Sequence, residues 1–130
     1  MGMFSYVNVR HAECPTCHAL SDQHVQFYFG GCALETLEIG DSLRWGAYDR
    51  GMPGHRLVVT DGIGEGCPHC GGPEIRPNLW DADLFDIFIE HDVITYARWA
   101  TGEFDYRNDG VPDADADYIV LDSYPPSLRR

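Results

Sequence analysis

Apolar and polar residues alternate along FSYVNV (residues 4–9), and the β-branched content makes this stretch a strand. HVQFYF (24–29) reads the same way and is stopped by Gly30-Gly31. ALETLEIG (33–40) fits either a helical turn or a strand. Gly40-Asp41 marks a turn, and SLRW (42–45) follows as a short strand. The Gly and Pro density of residues 47–55 makes them a loop. RLVVTDGIGEGC (56–67) predicts a strand, a turn at Asp61-Gly62 and a second short strand. LFDIFIEHDVITYARWA (84–100) holds two apolar runs around EHDV. Its β-branched and aromatic content predicts a hairpin turning at His91-Asp92. A helix is the alternative, because the run is long and has no internal Gly or Pro. Residues 101–117 read as polar loop or weak strand, YIVLD (118–122) as a last strand, and 123–130 as a frayed tail. The expected fold class is mainly β (a β-rich α+β), in one domain over residues 1–130.

The cysteines change the picture. ECPTCHA (13–19) and GCPHCGG (66–72) are two Cys-Pro-x-Cys steps about fifty residues apart. Two residues between cysteines let both thiolates of a tight turn face one ion, so each step supplies half a tetrahedron. Pro15 and Pro68 pre-set matching turns, and Gly71 stands where positive φ is often needed. Cys14, Cys17, Cys67 and Cys70 are therefore the expected ligands of one structural zinc, with iron as the second option. His18 and His69 are expected to flank the site on exposed turns. Cys32, the fifth cysteine, is expected to pack as a small hydrophobe. Disulfides would need an oxidising compartment. The N-terminal stretch has no charged start followed by an apolar core, so a reducing cytoplasm is expected.

CPTCH and CPHCGG resemble the two knuckles of a zinc ribbon. The resemblance covers the site and its adjoining strands, and it implies a ribbon base with extra strands inserted between the knuckles. The first knuckle departs from the common pattern, with His18 where Gly is frequent. MGMFSYVNV, followed by a Cys pair and CALETLEIGD, is also similar to a set of small uncharacterised bacterial proteins. That likeness brings no function with it.

The net charge is −12, and it is uneven. Residues 74–122 carry thirteen acids against three arginines, a net −10. Such a surface repels phosphate backbones and argues against nucleic-acid binding. No apolar run is long enough to span a bilayer. All nine basic residues are Arg, which with the many Gly, Ala and Asp suggests a GC-rich bacterial genome. A solvated acidic surface is the plain reading of the charge. The sharper one is a docking surface for a basic protein, with aromatic anchors inside a charged rim. Trp80, Asp81, Asp83, Asp86, Glu90, Asp92 and Trp99 are the residues expected to contact that partner.

Other chemistries fit less well. His11-x-Glu13 and the later Cys pair echo a zinc deaminase, but the proline lies inside the pair and Cys14 and Cys17 would have no role. Asp113, Asp115 and Asp117 have the spacing of a calcium loop, yet Tyr118 and Tyr124 stand where that loop needs Gly and Glu. No P-loop, nucleophile elbow or dinucleotide fingerprint occurs. A non-catalytic acidic domain that covers the basic cleft of a bacterial toxin, as an immunity protein does, is the leading functional expectation. A zinc-ribbon adaptor or regulatory subunit of a larger complex is the alternative.

Overall fold

The computed structural model describes residues 4–71, 83–111 and 116–128. The described residues form seven strands and no helix. These are β1 (Phe4–Glu13), β2 (Leu20–Phe27), β3 (Ala33–Glu38), β4 (Val58–Ile63), β5 (Leu84–Glu90), β6 (Val93–Trp99) and β7 (Tyr118–Val120). They make one mixed sheet in the order β3-β1-β2-β4-β5-β6, with β7 against β4. Only β1 and β3 run parallel. One edge of β4 is shared, with β2 at Gly62 and Ile63 and β7 at Val58, Val59 and Thr60.

The sheet curls into a half-barrel. The chain after β3 ties it to the far edge. Gly40 N–H donates to Ile94 O at 2.6 Å, Ile94 N–H to Asp41 O at 3.0 Å and Leu43 N–H to Asp92 O at 2.7 Å. Only Ser42 of the expected 42–45 strand pairs, as a single bridge to Val93.

Strand β5 is buried on both faces, which accounts for its nearly unbroken apolar run. Phe85, Ile87 and Ile89 point into one cluster with Val7, Val25, Phe27 and Tyr118. Leu84 and Phe88, one pleat out of phase, point into a second cluster with Val59 and Tyr106. Tyr124 and Leu128, from the segment expected to fray, pack on that second cluster. The Tyr124 hydroxyl reaches Thr95 Oγ1 at 2.5 Å and donates to Glu90 at 2.9 Å. An apolar outer face on β5 needs cover, and this segment supplies part of it.

The hairpin turns where expected. His91 and Asp92 join β5 to β6 with φ of 49° and 66°, the paired left-handed conformation of a tight hairpin turn. Neither residue is Gly, so the turn is held from outside. His91 N–H donates to His55 O and Arg56 O, and the Asp92 carboxylate accepts Gly54 N–H at 3.1 Å.

The expected turn at Asp61-Gly62 is a correction: both residues lie within β4, paired with Asp86 and Phe85 of β5. Gly62 is there for space. A Cβ on it would lie 2.7 Å from Val25 Cγ1 and 2.8 Å from Ile87 Cδ1.

Candidate metal centre

The first knuckle closes the end of β1. A register shift between Val9 and Ala12 sets His11 at φ 54°, and its N–H donates to the Asp22 carboxylate at 3.0 Å. Past this bulge the chain turns back on itself. Cys14 N–H donates to Ala19 O at 3.0 Å, and His18 N–H donates to Cys14 O at 2.9 Å. His18 takes φ 63°, the conformation for which Gly is common at this point of a knuckle.

The second knuckle follows β4. Gly71 N–H donates to Cys67 O at 3.0 Å with Gly71 at φ 84°, repeating the His18–Cys14 bond. Gln23 of β2 holds this knuckle's approach. Its amide donates to Gly66 O at 2.9 Å and accepts Glu65 N–H at 2.8 Å. Gln23 is a supporting residue that motif reading missed. Its signal was a polar residue in the inward register of Val25 and Phe27.

The two turns bring Cys14, Cys17, Cys67 and Cys70 together, with all four Sγ atoms within 4.8 Å of one another. Cys14 and Cys70 are 3.7 Å apart, and Cys17 and Cys67 3.6 Å. Cys14 and Cys67 are buried, whereas Cys17 and Cys70 face solvent. The backbone N–H of His69, helped by that of Cys70 and opposed by burial, brings the Cys67 thiol down to about 6. Four thiols at this spacing, one already inclined to ionise, fit one metal ion with every coordination position filled by protein.

The neighbouring histidines and Glu13 lie outside the cluster. Glu13 binds His18 at 2.9 Å, both exposed, and His11 and His69 are also exposed. Cys32 is buried, 2% exposed, at φ 51°.

The expected partner-binding residues are scattered. Trp80 and Asp81, like Asp113 and Asp115, lie outside the described residues. Two others are corrections. Trp99 is 3% exposed and packs on the Phe85 ring at 4.4 Å. Asp86 is 1% exposed, bound by Arg98 Nε at 3.1 Å and by the Tyr106 hydroxyl at 2.6 Å. Both lie inside because β5 and the end of β6 are covered on two sides. Glu90 and Asp92 hold Tyr124 and Gly54, and Asp83 is half-buried. Exposed acids of the same stretch are Glu103, Asp109, Asp117 and Asp122.

No protein-family model, curated protein or solved structure matches this chain.

Proposed function

We propose that the chain is a zinc-stabilised, non-catalytic protein-binding domain built on a zinc-ribbon base, and that it acts as an immunity protein covering the basic cleft of a bacterial toxin in the cytoplasm. The closed four-thiol cluster carries the first part of this reading. Zinc that does chemistry keeps a position open for water, and a four-cysteine set leaves none. Thiolate donors favour zinc over harder cations. The charge of −12 supports the second part, since an acidic surface attracts a basic one and speeds encounter. A zinc-ribbon adaptor within a larger complex is the second reading, favoured by the knuckle turns standing exposed at Thr16, His18 and His69.

Copurification from the native host, followed by association kinetics, tests the proposal. Steering fades beyond about 8 Å at physiological ionic strength. Association with the recovered partner is therefore expected to slow as salt rises. Changing Asp109, Asp117 and Asp122 together to Lys is expected to slow association far more than it speeds dissociation. A partner that binds equally fast at low and high salt overturns the acidic docking reading. A partner that is itself a stable multi-subunit assembly favours the adaptor.

A further inference from the structure

We propose that the cysteine cluster is an oxidation-sensitive latch: hydroperoxides oxidise its solvent-facing thiolates, the metal ion leaves, and disulfides between the two knuckles take over the clamp. The inference rests on the metal reading of this site and is independent of any protein partner.

Accessibility is the first support. Each knuckle presents one thiol outward, Cys17 in the first and Cys70 in the second, and keeps the other, Cys14 or Cys67, buried. An oxidant from solvent meets the exposed Cys17 and Cys70 first. Geometry is the second support. Two sulfur pairs in contact each join an outward thiol to the buried thiol of the other knuckle, Cys70 to Cys14 at 3.7 Å and Cys17 to Cys67 at 3.6 Å. A disulfide needs a sulfur separation of about 2.05 Å. Each of these cross-knuckle pairs is within about 2 Å of that separation.

The chemistry balances with a hydroperoxide as the oxidant. The Cys70 thiolate attacks the peroxide O–O bond, an S–O bond forms, and the other oxygen leaves as water or alcohol after taking a proton. The Cys14 thiolate then attacks the sulfenic sulfur, an S–S bond forms, and hydroxide leaves as water. Two sulfurs have lost two electrons and one peroxide has gained them. Cys17 and Cys67 repeat the sequence with a second peroxide, and the released ion has no thiolate left to hold it. A disulfide from Cys14 to Cys70 closes a loop through β2, β3 and β4, so the half-barrel keeps a covalent clamp.

The test uses the full chain carrying Cys32→Ser, so that the fifth thiol cannot exchange into the products. Metal content is measured first, and the protein is then titrated with hydrogen peroxide. A chromogenic chelator reports metal release, and non-reducing proteolysis with mass spectrometry maps the disulfides. The expected result is release of one metal ion for two peroxides, with linked peptides joining Cys14 to Cys70 and Cys17 to Cys67. Thiol reductant and zinc together should restore the starting state. Retention of the metal under tenfold excess peroxide overturns the latch, as do disulfides confined to Cys14–Cys17 and Cys67–Cys70. Protein that carries no metal before peroxide is added overturns the metal reading itself, and the latch with it.

Discussion

His18 shows how much a single residue concedes to the metal turn. A side chain in the left-handed region costs about 1–2 kcal/mol, and His18 sits there at φ 63° with only an exposed contact to Glu13 in return. His18→Gly is therefore expected to keep the metal and to raise stability by up to about 1 kcal/mol, read by denaturant unfolding. Loss of metal would show that the imidazole matters to the site. Asp86 makes the opposite trade. Burial pushes its carboxyl above the ordinary value of 3.8, against the pull of the Tyr106 hydroxyl and the Arg98 guanidinium. The folded chain thus holds this proton to higher pH than the unfolded chain. The group's contribution is complete below pH 3.8 and is lost as pH rises through the folded value. Asp86→Asn removes that titration and weakens a charged hydrogen bond, at roughly 2 kcal/mol. The stability lead of the native chain over the variant is expected to shrink as pH rises from 4, measured by urea unfolding across pH. A lead that grows with pH would mean the ion pair with Arg98 outweighs burial.

At the scale of elements, β4 and β5 carry the molecule. β4 meets β2, β5 and β7, and Gly62 lies where the β2 backbone comes close, 3.0 Å from a would-be Cβ to Gln26 O. Gly62→Ala must push Val25, Ile87 and that carbonyl together, and overpacking of this kind costs about 1–3 kcal/mol. Thermal unfolding checks it, and an unchanged midpoint would show that β2 can shift away. β5 reads as a strand from its β-branched and aromatic residues, and the pattern also marks its turn. Its alternation cannot say which face is covered, because every position from Leu84 to Ile89 is buried. That is why Asp86 looks from the sequence like a surface residue and lies inside, while Trp99, at the end of β6, is buried by packing on Phe85.

For the whole molecule, a metal ion at the cysteine cluster would tie together parts of the chain that the sheet joins only through the two β2–β4 pairs. The first knuckle ends β1 and the second follows β4, and β2, β3 and the 40–57 loop lie between them. Structural zinc contributes about 10 kcal/mol or more in small metal-dependent domains. That is comparable to the whole stability of a domain, about 5–15 kcal/mol. Cys14→Ser, or removal of the metal by a strong chelator, is expected to unfold most of the population at 37 °C, as followed by circular dichroism and elemental analysis. Cys32→Ser is expected to keep one metal ion per chain. The reverse pattern, with Cys32 needed and Cys14 dispensable, would reassign the ligands.

The sequence by itself determined the four-cysteine set, because two C-x-x-C turns impose their geometry locally and need nothing from the rest of the chain but proximity. It also determined the β class and favoured the His91-Asp92 hairpin over a helix, since β-branched and aromatic residues act on the backbone locally. Other features belong to the tertiary structure. Asp61-Gly62 resembles a turn in sequence, yet the approach of β2 and pairing with β5 make it mid-strand. The last residues have the composition of a loose end, yet the uncovered outer face of β5 and β6 draws Tyr124 and Leu128 onto it. Gln23 became a brace for the second knuckle only when β2 and the end of β4 were laid side by side. In each case the deciding contact comes from a residue distant in sequence, and a local pattern holds no record of it.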